Sequence, residues 1–86
     1  MDVSRRVLAL VKDIVADHMD GVSTDEISMD SCLIDDLSFD FADEMEFMCK
    51  AEVNFGIELP DRPLRNDTTV ADLVRLVEQT ILETRI

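Results

Sequence analysis

The sequence predicts an all-α fold: a bundle of three main helices plus one short helix before the last, with a long first loop. Three observations point to it. Apolar residues recur at the 3.6-residue period of a helix in three separate stretches. Gly21, Gly56, Pro60 and Pro63 fall between those stretches, where turns belong. No stretch alternates apolar and polar residues as a half-buried strand does, and no internal repeat is present.

The first helix is expected over about 3–18, with Val3, Val7, Leu8, Leu10, Val11, Ile14 and Val15 as its apolar stripe. Asp2 and Ser4 are both suited to cap it. Gly21 then breaks the pattern and opens a connection to about residue 37. Within it, Ser23 and Glu26 have capping-box spacing for one short turn. Val22, Ile27, Leu33, Ile34 and Leu37 should tuck into the bundle, which makes this a packed segment rather than a floppy one. The second helix should start near Asp40 and end near Phe55. Asp40 is a good N-cap, Asp43 and Glu44 complement the positive end of the helix dipole, and Gly56 sits where a left-handed C-cap belongs. Pro60, Asp61 and Pro63 fit a short turn or one-turn helix over 62–66. The last helix opens after Thr68 or Thr69, with Thr69 and Asp72 again at capping-box spacing. Its apolar face is Val70, Leu73, Val74, Val77 and Ile81, with Leu76 alongside.

At 86 residues and 47% apolar, the chain has enough material for one domain, 1–86, with a core. No stretch approaches the roughly 20 apolar residues needed to span a bilayer, and no signal-peptide pattern opens the chain, so a soluble cytoplasmic protein is expected. Cys32 and Cys49 lack metal-site spacing, and His18 has no thiol near it in sequence, so both cysteines read as reduced thiols and no metal site is expected. The aspartates do not follow the EF-hand pattern; loose cation binding near Asp35, Asp36 and Asp40 is the most they suggest. There is no Gly-rich phosphate loop and no Ser/His/Asp signature, and hence no catalytic residue to name and no enzyme expected.

Charge is more informative. The net charge is −12, and residues 13–49 hold twelve acids and no Lys or Arg, while the remaining eight acids and eight bases cancel. Such a stretch repels nucleic acid and anionic membranes and steers a basic protein patch toward itself. The same charge also serves as a solvated surface that keeps a small protein soluble.

Residues 33–61 read LIDDLSFDFADEMEFMCKAEVNFGIELPD. This block resembles the centre of the acyl carrier protein family: an Asp-Leu pair, an Asp-Ser-Leu that opens a helix, and an acidic stretch closing on Phe and then Ile-Pro-Asp. Asp36-Leu37 matches the first element and the run from Glu52 to Asp61 matches the last, with no gap between. Thr68-Thr69-Val70 resembles the opening of the family's final helix. The resemblance implies a carrier bundle and 4′-phosphopantetheine as the family's cofactor, tethered through a serine oxygen. That serine would fall on Phe41, between Asp40 and Ala42. Phenylalanine has no oxygen with which to form the phosphodiester, so no covalent cofactor is expected at this position. Ser38 lies three residues earlier, where the family often has glycine, and is the weaker alternative site; Ser31 is more remote. Cys49 offers a thiol, although a cysteine there reads first as a small hydrophobe.

At about 100° per residue, Phe47, Met48, Ala51 and Phe55 share the arc expected to face the core. Phe41, Ala42, Met45, Cys49 and Val53 occupy an adjoining arc, fringed by Asp36, Asp40, Asp43 and Glu46. In carrier proteins that second arc is the face presented to enzymes. The candidate docking set is therefore Asp36, Asp40, Ala42, Asp43, Met45, Glu46 and Cys49, facing a basic patch on a partner such as a synthase or acyltransferase. Packing of the same residues against the long loop is the competing expectation. The leading reading is a monomeric acyl carrier protein-like protein, not phosphopantetheinylated, that acts by docking in fatty-acid, polyketide or related thioester metabolism. The alternatives are a working carrier that uses Ser38 or bears an introduced change at Phe41, and an acidic adaptor unrelated to acyl transfer.

Overall fold

The computed structural model describes residues 2–18, 24–60 and 65–84. Helix α1 spans Val3–His18, α2 spans Phe41–Phe55 and α3 spans Val70–Thr84, with a 3-10 turn at Thr24–Glu26 in the first loop. The fold is an all-helical bundle; the one β-bridge among the described residues joins Cys32 to Thr69 and extends into no strand. Helix α1 packs against both α2 and α3 and also against the 3-10 turn. Val22, Ser23 and the stretch 61–64, which holds most of the expected short helix over 62–66, lie outside the described residues. The chain on either side of residue 66 is a turn, in which the Arg65 N–H donates to Thr68 Oγ1 at 3.0 Å and the Thr68 N–H to the Arg65 carbonyl at 3.1 Å.

Each helix starts where a side chain satisfies donors that the helix cannot. Asp2, not Ser4, caps α1: its carboxylate accepts from the Arg5 N–H at 3.1 Å and its carbonyl from the Arg6 N–H at 3.2 Å. At α3 the box is reciprocal, with Thr69 N–H to Asp72 Oδ2 at 2.9 Å and Asp72 N–H to Thr69 Oγ1 at 3.3 Å. Helix α2 ends at Gly56, whose φ of 65° is the left-handed conformation that glycine adopts without steric cost. Beyond it, Glu52 reaches forward so that its Oε2 accepts the Leu59 N–H at 2.9 Å.

The core collects Val7, Val11, Ile14 and Val15 from α1, Phe47 and Ala51 from α2, and Val70, Leu73, Val74 and Val77 from α3. The first loop adds Ile27, Leu33, Leu37 and Phe39, so it is packed as its apolar residues imply. Ile34, expected inside, is only half-buried. Thr80 joins the core from α3 as a polar residue, and its hydroxyl is satisfied by donating to the Leu76 carbonyl at 2.7 Å.

The loop is also tied to α3 through its backbone. Leu33 N–H donates to the Thr68 carbonyl at 2.9 Å, Val70 N–H to the Ser31 carbonyl at 3.1 Å and Ala71 N–H to the Met29 carbonyl at 3.0 Å. Because Leu33 is fully buried although it sits in no helix, Leu33→Ala should destabilise the protein by about 2–5 kcal/mol. Leu82→Ala, at a residue 67% exposed on α3, should stay within about 0.5 kcal/mol of the unaltered chain. Urea denaturation of the two variants measures both.

Candidate functional site

The head of α2 is set by the residues just before it. Ser38 has φ 56°, the one described non-glycine residue with a positive φ. Its N–H donates to the Ile34 carbonyl at 3.1 Å, and the Phe39 N–H donates to the Leu33 carbonyl at 2.9 Å. The turn sends Phe39 into the core. Asp40 follows in an extended conformation and caps the helix: its Oδ1 accepts the Asp43 N–H at 2.9 Å. Asp43 Oδ2 returns the bond from the Asp40 N–H at 3.1 Å.

That reciprocal box corrects one expectation. Asp43 belongs, by charge and spacing, to the acidic fringe; instead it is only 8% exposed, with its carboxylate folded back on the helix end. The cause is positional: at the third helical residue a short acid reaches the N-cap backbone more readily than it reaches solvent. Asp36 and Asp40 remain exposed, and Asp36 Oδ2 accepts the Cys32 N–H at 2.8 Å. Glu46 is half-buried and pairs with Lys50, the one base of α2, at 3.3 Å.

The apolar arc faces outward. Phe41, the first residue of α2, is 75% exposed; Ala42, Met45 and Cys49 are exposed too, so none of them is consumed by packing against the loop. Val53 is 83% exposed. The docking set read from the sequence stops at Cys49; Val53 lies eleven residues, about three turns, beyond Ala42 on the same side of the helix. Helical spacing alone already placed it on that arc.

The resemblance puts 4′-phosphopantetheine at residue 41. A helix N-terminus suits a phosphate, because unpaired N–H groups and the dipole both favour an anion there. The side chain present does not fit the group: Phe41 supplies an exposed ring and no oxygen to esterify. Ser38 has an exposed side chain on the turn ahead of the helix. Ser31 is half-buried, and its hydroxyl oxygen accepts the Ser28 N–H at 3.0 Å within the loop. Cys32 and Cys49 are both free thiols. Among the described residues no group of three or more His, Cys, Asp or Glu side chains is placed to hold a metal ion, and no helix is long and apolar enough to cross a membrane.

Comparison with known proteins agrees with this geometry. The chain is 39% identical over 72 residues to the acyl carrier protein of Clostridium acetobutylicum, covering 84% of this chain and 92% of the relative. It is 37% identical over 78 residues to the acyl carrier proteins of Sinorhizobium fredii and Rhizobium meliloti, covering 91% of this chain and 94% of each relative. The chain belongs to the acyl carrier protein family. No family model matches it. The cofactor of the acyl carrier protein family is 4′-phosphopantetheine.

Two measurements follow from the site. Partial burial, and then the carboxylates of Asp36, Asp35, Asp67 and Asp72, raise the Cys32 thiol above its ordinary pKa, whereas Cys49 stands exposed on α2. Since the thiolate is the reactive form, iodoacetamide at pH 8 should label Cys49 several-fold faster than Cys32. The Cys32 rate should keep rising at pH values where an ordinary thiol has levelled off; peptide mapping by mass spectrometry reads both. At Ser38, replacing the left-handed serine by glycine should leave stability unchanged or raise it by up to about 1 kcal/mol, and Ser38→Val should lower it by about 1–2 kcal/mol in urea denaturation.

Proposed function

We propose that this single-domain acyl carrier protein family member is not loaded with phosphopantetheine at residue 41 and works through protein contacts made by the head of α2. The observation that carries this reading is Phe41, a ring 75% exposed at the first position of α2, where the family's serine would stand. An aromatic ring placed in water at a helix end leaves unrealised the roughly 1.5–3 kcal/mol that burial of such a side chain is worth. A partner that covers it recovers that free energy. Ala42, Met45 and Cys49 extend the apolar surface, and the exposed acids Asp36 and Asp40 at its upstream edge favour a basic patch on the partner. Glu46 contributes at the side, its charge partly offset by Lys50.

In this reading the partner is an enzyme of fatty-acid, polyketide or related thioester metabolism, a synthase or acyltransferase for which the chain is a decoy, scaffold or regulatory subunit. The chain performs no reaction itself and acts in the cytoplasm as a monomer. A working carrier that uses Ser38 is the second reading, and the exposure of that side chain on the preceding turn favours it. Its backbone position differs from that of a serine on the helix, so a transferase would have to accept a displaced hydroxyl.

Incubation with coenzyme A and a broad-specificity phosphopantetheinyl transferase, followed by intact-mass measurement, separates these. The unaltered chain should show no added mass, and Phe41→Ser should gain one prosthetic group. Attachment to the unaltered chain sinks the unloaded reading, and mapping of the modified peptide then shows whether Ser38 carries the group.

A further inference from the structure

Helix α2 is held less deeply than its neighbours. Helices α1 and α3 each bury four apolar side chains, whereas α2 buries two, Phe47 and Ala51. Both α2 and α3 lie on α1, and the described residues of α2 and α3 make little contact with each other. Segments with few buried apolar contacts are the ones that open on their own, at a lower free energy than global unfolding.

The two ends of α2 are fastened differently. Its head follows Leu33, Leu37 and Phe39, all buried, and the loop that carries them is bonded to α3 through its backbone. The hydrogen bonds described for its tail close instead on the segment's own residues. The Gly56 and Ile57 N–H groups donate to the Glu52 carbonyl, the Leu59 N–H to the Glu52 carboxylate and the Asn54 side chain to the Lys50 carbonyl. All of these bonds are kept when the tail lifts. What the tail gives up is the burial of Ala51 and Ile57 and its contact with α1, where the Arg6 guanidinium stands over the Phe55 ring, 5.9 Å from its centre.

We infer that α2 is a lid. It swings as an intact helix about residues 38–40, and its tail leaves α1 when the Arg6–Phe55 latch breaks. Its head stays seated on the first loop, and α1 and α3 stay packed together. Because the caps at both ends of α2 belong to the moving segment, the helix keeps its shape as it moves. This holds whether or not residue 41 is ever loaded.

Buried thiols introduced by substitution report such an opening, because iodoacetamide reaches them only when the segment is open. Ala51→Cys and Ile57→Cys each place one on the lid, and Val74→Cys places the reference on α3; either lid variant suffices if the other does not fold. The full chain is labelled at reagent concentrations where the rate is proportional to reagent. Tryptic mapping separates each new thiol from Cys32 and Cys49, since Lys50 lies between Cys49 and residue 51. The lid thiols should label about tenfold or more faster than the reference, with a shallower dependence on urea because less surface is exposed. Arg6→Ala should speed labelling on the lid about two- to fivefold, the worth of an exposed cation–π contact. Leu33→Val, at a position whose contacts persist in the open form, should speed the reference several-fold and leave the lid rate as it was. Equal rates and equal urea slopes at lid and reference mean that only global unfolding reaches these thiols, which overturns the lid. A lid rate indifferent to Arg6→Ala overturns the latch, and acceleration of lid and reference alike by Leu33→Val overturns the hinge at the head.

Discussion

The first backbone N–H groups of a helix have no partner inside it, and at the start of α3 the first loop supplies what is missing. Carbonyls of Ser31 and Met29 accept from Val70 and Ala71, and the Leu33 N–H returns a bond to Thr68. Three backbone bonds thus fasten a connection with no regular helix, apart from one 3-10 turn, to an element far along the chain. With the loop held there, Leu33 is fixed in the core, followed by Leu37 and Phe39. The direction in which the chain enters α2 is a consequence of that anchoring.

Between Leu37 and Phe41 the backbone has little freedom. Leu37 and Phe39 are both buried, Ser38 between them turns left-handed, and Asp40 must cap the helix. Residue 41 is left on the outer side of the first helical turn whatever its side chain. The same turn presents the Phe41 ring to water. Phe39 and Phe41, two residues apart, therefore have opposite fates, the first packed in the core and the second exposed.

Much of this was legible in the residues. Three apolar periods with Asp2 or Ser4, Asp40, and Thr68 or Thr69 ahead of them located the three α-helices among the described residues, because cap and stripe are local in sequence and agree with each other. That Phe41 to Val53 share one arc also followed from spacing, whereas its exposure did not, because spacing groups residues on a face without saying what covers it. Asp43 was legible as a first-turn acid but not as a buried one, since such an acid is equally a surface charge and a capping group, and only geometry shows that its carboxylate folds back on the helix end. Thr80 went unnoticed because its hydroxyl is satisfied by its own helix, which permits burial without any distant polar partner. The backbone bonds between the first loop and α3 leave no side-chain signature at all. The choice between Asp2 and Ser4 rested on a single turn of backbone, too fine for composition to decide.

Helix α2 is clamped at both ends. The Asp40–Asp43 box closes its head, and at its tail Gly56 stops the helix while the Glu52 carboxylate holds the Leu59 N–H seven residues on. A surface carried between two such clamps has already given up its backbone freedom before any partner arrives. Ordering an interface side chain on binding costs about 0.5–1.5 kcal/mol, and ordering a mobile segment costs more. On α2 the second of these costs has been met during folding, so a modest apolar row yields more affinity than the same residues would on a loop. Preorganisation is what this helix offers to whatever binds it.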